Sequence, residues 1–362
     1  MMQIRKRLIQ YAKFWFTCWI LYVISNSNII NLISKIHEYK GEQPYLLETQ
    51  KDTLESLTDI AKIESTSSSN KIEGIYTTDK RINEIVIKNL EPKNRNEEEI
   101  AGYRDVLTLI HENYKYIDIN QNTILQLYRD LYKYTGYSYG GKFKNSQNYI
   151  EEANVKGEKK ICFTPLNAVE TPIAVTELCQ NYNAIVNDES CDLLILIPIF
   201  ILDFVSIHPF NDGNGRMSRL LTLLLLYRTN YMVGKYISIE KMIEETKDSY
   251  YEALEKSSIG WHDNKNDYSY FVEYYLGVIL SAYKEFAFRI NTLKMKKSTA
   301  YDRISNLFKN NIIPLDKNYV SNKCPDISIT TIERVLSKLV KENKIIKISM
   351  GRFTKYKWQN ND

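Results

Sequence analysis

Residues 208–219 read "HPFNDGNGRMSR" and lie between two of the most apolar stretches of the chain, "DLLILIPIFILDFVSI" before them and "LLTLLLLY" after them. A chain with only four histidines and thirteen glycines has placed His208, Asp212, Gly213, Asn214, Gly215, Arg216 and Arg219 inside its expected core. Burying such groups is costly unless something satisfies them. "NDGNG" cannot continue a helix, because two glycines with an asparagine between them demand a tight turn. The run before it is apolar on every side, as a helix at the centre of a bundle is. "RMSRLLTLLLLY" then restarts a helix. The stretch is expected to be a polar loop joining two buried helices of a mainly α body.

Glycines at a loop-to-helix junction let backbone N–H groups point at an anion, helped by the positive end of the helix dipole. Arg216 and Arg219, three apart, share a face of the first turns and are expected to reach the same anion. A guanidinium fork matches phosphate oxygens. Asp212 is a hard anionic ligand suited to Mg²⁺, and His208 is placed to take a proton from an attacking hydroxyl. Together these groups suit phosphoryl or nucleotidyl transfer. The stretch is not a Walker loop, which needs G-x-x-x-x-G-K-[ST]. Nor is it an EF-hand, since Met217 stands where a loop begun at Asp212 needs glycine. A lone Asn-Gly would be no more than a turn.

The rest of the chain reads as helical almost throughout. "TLESLTDIAKI" spaces Leu54, Leu57, Ile60 and Ala61 on one helical face, and "NTILQLYRDLYKYTG" does the same with Ile124, Leu125, Leu127 and Leu131. Gly136 is the expected stop of that second helix. Pro198 marks a helix start or a kink. "NYIEEANVKGEKKICFTPLN" (148–167), with Gly157 in a polar turn, predicts a short hairpin. Beside a cleft it would offer an edge to which a target segment adds as a strand, the plainer reading being a connecting loop. In the tail, Ser328 caps a helix with Ile332, Val335, Leu336, Leu339 and Val340 inward. "IIKISMGRFTKYKW" then alternates around Gly351 like a hairpin.

At 362 residues, 44% hydrophobic and 25% charged, the chain suits two or three globular domains. Its net charge of +4 is uneven: residues 291–362 hold 15 Lys plus Arg against 6 Asp plus Glu, so the first 290 are net acidic. The cysteines (Cys18, Cys162, Cys179, Cys191, Cys324) are odd in number, scattered and without a C-x-x-C pair. They fit neither a disulfide framework nor a zinc site and point to a reducing, cytoplasmic compartment. At the N-terminus, Arg5, Lys6 and Arg7 precede "FWFTCWILYVI" (14–24) in the manner of a signal peptide. No A-x-A site follows, and the run falls short of the ~20 residues that span a bilayer. A docked apolar helix or a start codon placed too early are the other readings. Asp203 and its length argue against a membrane span for the run before the loop.

The loop resembles the Fic (Fido-domain) family signature H-x-F-x-[DE]-G-N-G-R-x-x-R at every fixed position. "IHEYKG" (36–41), "SSSNKIEGI" (67–75), "SQNYI" (146–150) and "SYYEAL" (249–254) are similar to Fic-protein segments in the expected order. The resemblance runs from about residue 31 to the C-terminus. It implies a helical bundle with a short β-hairpin flap, and a C-terminal winged helix-turn-helix of the kind often appended to Fic proteins. The expected divisions are an extension over 1–30, an N-terminal helical region over 31–95, the core over 96–285 and the winged helix over 290–362.

The implied activity is transfer of AMP from ATP, with Mg²⁺, to a Ser, Thr or Tyr hydroxyl of a target protein. On the resemblance His208 is the general base and Asp212 holds the metal. The backbone of Gly213, Asn214 and Gly215 cradles phosphates. Arg216 meets the α/β-phosphates and Arg219 the γ-phosphate, while Phe210 anchors the loop in the core. Tyr250 and Tyr251 lie near the adenine, although a tyrosine pair on a helix is as readily packing. Asp212 and the intact "GNGR" favour AMP transfer over the kinase-like branch. Removal of AMP and phosphocholine transfer share the motif.

Ser69, Glu73 and Gly74 fit the [ST]-x-x-x-E-[GN] inhibitory motif of the family, in which Glu73 pairs with Arg219 and blocks the γ-phosphate. The local reading has Asn70 capping a short helix, with Glu73 at its third position and Gly74 ending it. The implied partners are a hydroxyl-bearing target protein, DNA at residues 291–362 through Arg334, Lys338, Lys341, Arg352 and Lys355, and a second copy of the chain as a homodimer. The contrasting reading is a DNA-binding regulator whose body senses nucleotide without much turnover.

Overall fold

The computed structural model describes residues 26–49, 51–137, 140–153, 159–188, 191–297, 299–309, 311, 314–324, 327–348 and 354–359. Those residues form fourteen α-helices and two small antiparallel sheets. The chain divides into two units, one ending at Phe286 and one beginning at Ala287. The basic-then-apolar segment at 5–24, Gly157, Gly351 and Arg352 lie outside the described residues. No helix among the described residues is long and apolar enough to cross a membrane.

The first unit is built around two helices, α7 (Leu193–Ile207) and α8 (Asn214–Arg228), joined by the polar loop. Both are buried on nearly every side, Leu194 to Leu202 in one and Met217 to Tyr227 in the other. Asp192 starts α7 by accepting the N–H of Leu194 at 2.8 Å, an N-cap that relieves one orphan donor of the first turn. Asp203 accepts from the Trp261 indole and the Tyr268 hydroxyl, both at 2.8 Å. Burial pushes its pKa up to about 6.

Around this pair pack α1 (Ser27–Thr49), α2 (Lys51–Ile72), α3 (Asp79–Lys88), α4 (Arg95–Asn113), α5 (Gln121–Leu131) and α6 (Thr171–Asp188). α9 (Ile239–Glu245), α10 (Lys247–Ser258) and α11 (Ser269–Lys297) follow. α1 grips the turn after α8. Gln43 donates to the Asn230 carbonyl at 3.1 Å and accepts the N–H of Met232 at 3.0 Å.

α2 buries Leu54, Leu57 and Ala61 as its spacing predicts, but Ile60 points outward at 43% exposure. Farther along, Ser65, Thr66, Ser68, Ser69 and Asn70 are all buried. Asn70 is not the cap of a separate short helix. It lies inside the last turn of α2, donating to the Thr66 carbonyl at 2.7 Å. The helix stops in a Schellman turn: the Gly74 N–H bonds the Lys71 carbonyl at 3.0 Å and the Ile75 N–H bonds the Asn70 carbonyl at 3.0 Å. Gly74 takes φ +77°, open to glycine at no steric cost. Glu73 is therefore presented on the end of α2.

α5 ends at Leu131, five residues before the expected stop at Gly136. The reason is contact with α4: a Cβ on Gly102 would collide with the Leu131 carbonyl oxygen. The backbones touch there, and the chain turns at Tyr132 with its N–H on the Arg129 carbonyl. The expected hairpin forms from β1 (Ile150–Ala153) and β2 (Lys159–Phe163), paired antiparallel with Glu151 opposite Ile161 and Ala153 opposite Lys159.

The second unit holds α12 (Ala300–Lys309), β3 (Leu315–Asp316), α13 (Lys317–Lys323), α14 (Ile329–Lys341), β4 (Ile345–Lys347) and β5 (Lys355–Trp358). Its sheet runs in the order β3–β5–β4, antiparallel throughout. Ile304, Phe308, Leu315, Val320, Leu336 and Leu339 are among its core residues. Ser328 caps α14 through the Thr331 N–H at 3.3 Å, as expected.

Candidate active site

α7 ends at His208, which adopts the left-handed conformation at φ 51° and returns its N–H to the Phe204 carbonyl at 3.0 Å. The imidazole Nδ1 lies 3.2 Å from the Val205 carbonyl. A carbonyl only accepts, so Nδ1 carries the proton and Nε2 keeps its lone pair. Burial pushes the imidazole pKa down to about 4. The ring is thus neutral near pH 7, with a free basic nitrogen.

A segment from far upstream clamps the loop. Lys144, only 3% exposed, donates from Nζ to the Ile207 carbonyl at 3.1 Å and to Asn148 at 2.9 Å. Its backbone N–H meets the Pro209 carbonyl at 2.9 Å. Asn148 donates to the carbonyls of His208 at 3.3 Å and Phe210 at 2.9 Å. Phe210 is fully buried and stacks on Tyr128 at 3.6 Å. Asn214 braces the loop from inside: its side chain accepts the Phe210 N–H at 2.9 Å and donates to the Phe210 carbonyl at 2.8 Å. That side chain is committed to structure.

Asp212 stays half-exposed. Its Oδ1 accepts the Gly213 N–H at 2.7 Å and its Oδ2 the Tyr132 hydroxyl at 3.0 Å. Each oxygen keeps lone pairs for a cation. Gly213, at φ +79°, is the N-cap of α8 and offers no side chain to the first-turn N–H groups. First-turn donors and the dipole at such a helix end favour an anion.

The two arginines do not converge on one partner. Arg216 is 1% exposed and pairs with Glu99 at 2.8 Å; its Nη2 donates to the Tyr132 hydroxyl at 2.6 Å. Arg219, also buried, turns the other way. It donates to Ser69 Oγ and to the Ser69 carbonyl, both at 2.8 Å, and to Glu73 Oε1 at 2.7 Å. The shared face expected from their spacing is overridden by where the carboxylates stand. Glu73 Oε1 fills the space over Gly215, where any Cβ would collide with it. An anion therefore already sits at the mouth of α8.

Tyr250 is buried against Ser218 and Arg219 and meets Tyr251 edge-on at 5.3 Å. Tyr251 is 44% exposed, so only the second of the pair offers an open face. Lys247, on the same helix, caps the end of α2 by donating to the Ile72 carbonyl at 3.0 Å. Tyr128, Tyr132, Lys144, Asn148 and Glu99 complete the site; of these only Asn148 lies in a segment marked by the family resemblance, "SQNYI".

Among the described residues no group of three or more His, Cys, Asp and Glu gathers to hold a metal ion. Mg²⁺ needs no such cage: it takes one or two carboxylates and completes its octahedron with phosphate oxygens and water. Asp212, half-open at an anion-binding helix end, fits a magnesium ion that arrives with a polyphosphate.

A family model described as Fic/DOC family matches residues 118–226, which span α5 to α8. A Fido domain-containing protein of Dictyostelium discoideum is 32% identical over 111 residues, 30% of this chain and 76% of that protein. The protein adenylyltransferase Fic of Drosophila melanogaster is 32% identical over 118 residues, 32% of this chain and 21% of that protein. The chain thus matches about a fifth of the Drosophila relative's length. The crystal structure of a Fic family protein from Desulfovibrio desulfuricans G20 superposes with a TM-score of 0.58 at 18% identity, covering 93% of this chain and 97% of that one; at that identity the likeness is one of fold. With the loop geometry, the family model and the Dictyostelium relative in agreement, the chain belongs to the Fic/DOC (Fido) family.

Proposed function

We propose that the protein is an adenylyltransferase that moves AMP from ATP to a hydroxyl of a target protein and is held silent by Glu73. The observation that carries this reading is the Glu73 carboxylate, bonded to Arg219 at the N-terminus of α8, next to a neutral His208 with Nε2 free. A site that already holds an anion beside a base is built for a phosphate and a hydroxyl. In the reaction His208 Nε2 takes the hydroxyl proton, the oxygen bonds to the α-phosphorus, and the bond to pyrophosphate breaks. Arg219, freed of Glu73, grips the γ-phosphate, and Asp212 would hold a metal ion. Mg²⁺ bound there would neutralise phosphate charge. The similarity to the Drosophila protein adenylyltransferase supports the choice of AMP. In the full chain carrying Glu73→Gly, label from α-³²P ATP is expected to reach protein and label from γ-³²P ATP is not. Transfer of the γ label would make the protein a kinase and end this reading.

The second unit supports a second, separate proposal. Its order of helix, strand, two helices and two strands supports reading it as a winged helix-turn-helix. α14 turns Arg334, Lys338 and Lys341 outward. Glu333 and Glu342 share that surface but are paired with Lys317 at 2.7 Å and Lys344 at 3.0 Å. We assign DNA as its partner. Binding by the full chain should weaken steeply with salt, by about a factor of ten for each few phosphate contacts between ~50 and ~200 mM. It should weaken further in Arg334→Ala/Lys341→Ala. Salt-independent binding, or no shift of any duplex at low salt, removes the assignment.

A further inference from the structure

We infer that Tyr132 is a positioning residue for the transfer reaction, its hydroxyl fixing the Asp212 carboxylate and the Arg216 guanidinium relative to each other. The inference rests on the nucleotide-transfer reading of the loop. Tyr132 belongs to neither the loop nor its flanking helices. It stands at the turn after α5, next to the close approach of Gly102 to the Leu131 carbonyl.

From that position it makes four contacts with the loop. Its hydroxyl donates to Asp212 Oδ2 at 3.0 Å and accepts from Arg216 Nη2 at 2.6 Å. Its ring lies under the Arg216 guanidinium at 5.2 Å, within cation–π range. A Cβ on Gly213 would come within 2.8 Å of the hydroxyl, so that glycine is what lets the tyrosine approach. Asp212 and Arg216 themselves are 3.8 Å apart, beyond direct hydrogen bonding. The phenol bridges them.

The consequence follows from how little else holds Asp212. Its side chain is half-exposed, and its second oxygen is held by its own neighbour's N–H. Without the phenol the carboxylate is free to rotate toward solvent or onto Arg216. With it, the position of Oδ2 is held before any ion arrives. Partners of this kind tune ligands they do not replace, and their loss typically lowers metal affinity 10–100-fold. Tyr128 acts on the backbone instead, donating to the Asp212 carbonyl at 3.1 Å and stacking on Phe210.

The test uses the full chain with Glu73→Gly as parent and Tyr132→Phe, Asp212→Ala and their combination as variants. Phenylalanine keeps the ring, so the packing on Tyr128 and Arg216 survives, and the lost hydrogen bond to Arg216 should lower the melting temperature by only about 2–4 °C. Mn²⁺ is titrated by EPR in the presence of a non-hydrolysable ATP analogue, and binding of the analogue is measured without metal. Tyr132→Phe is expected to weaken Mn²⁺ about tenfold and to leave metal-free analogue binding within about twofold. In the Asp212→Ala background it should weaken Mn²⁺ no further, because a residue acting through Asp212 has nothing left to position. Unchanged Mn²⁺ binding in Tyr132→Phe, or an equal loss in both backgrounds, overturns the inference while leaving Asp212 its metal role. Unchanged Mn²⁺ binding in Asp212→Ala removes that role and the inference together.

Discussion

Replacing His208 is expected to lower AMP transfer by about 10²–10⁴-fold, the usual contribution of a positioned general base. The choice of replacement matters. His208 sits at φ 51°, where alanine pays about 1–2 kcal/mol and asparagine is at home. His208→Asn therefore keeps the left-handed end of α7 and removes only the proton acceptor. His208→Ala removes it with a modest loss of stability. Both should still bind ATP, and both should be inactive in the Glu73→Gly background with α-labelled ATP. Transfer retained in His208→Asn would show that another group takes the proton. The low pKa of His208 adds a second readout. The imidazole stays neutral as pH falls past its ordinary value of 6.5, and gains a proton only near its shifted value of about 4. kcat/KM should accordingly stay level from about pH 8 to about pH 5.5. A half-fall at 6.5 would mean that the ring is solvated.

Glu73→Gly is expected to raise self- and target-modification by at least about tenfold, equal to ~1.4 kcal/mol of barrier. Glu73 Oε1 is bonded to Arg219 and fills the space over Gly215. An occupied Arg219 cannot grip a γ-phosphate, and a carboxylate there repels one. Removing one partner of a fully buried pair usually costs several kcal/mol. Here the cost should be nearer 1 kcal/mol, because the Glu73 side chain is 30% exposed and Arg219 keeps its two bonds to Ser69. Buried Glu240, held by the Tyr103 hydroxyl at 3.0 Å, also faces that arginine. Glu73→Gln separates charge from shape. It should activate too, though less, since the amide still fills the space over Gly215. Rates no higher than wild type in both variants would leave Glu73 as the end of a helix and nothing more.

What was legible in the sequence is what is contiguous. Two apolar helices around a glycine-rich turn announce themselves within one unbroken stretch, and the structure has them as α7 and α8. The hairpin at β1 and β2 and the inward face of α14 were equally local. Partners distant along the chain left no such trace. Tyr132 meets Arg216 from 84 residues away, and Asn148 meets Phe210 from 62. In "LYKYTG" that tyrosine falls inside the helix expected to run to Gly136, and nothing marks it. Nothing in "GGKFK" singles out Lys144, yet it is buried and bonded to the loop. The pairing of Glu73 with Arg219 spans 146 residues. It was legible only through family resemblance; the local reading made a cap of Asn70, which lies inside α2. Arg216 and Arg219 show the limit of periodicity: helical spacing set their face, and Glu99 and Glu73 set their directions.

The carboxylate that Arg219 holds is part of the same molecule, carried on a stiff turn at the end of α2. Its effective concentration at the helix mouth is therefore fixed by the fold and is independent of how much protein is present. Even flexible tethers give local concentrations on the order of millimolar, and a pre-placed group exceeds that. Raising soluble nucleotide is a weak way to displace such an occupant, and diluting the protein does nothing at all. On the proposed reading each chain would be silenced singly, by its own Glu73. On that reading relief would come from whatever draws the end of α2 away, with Lys247 on the Ile72 carbonyl as the hold to be broken.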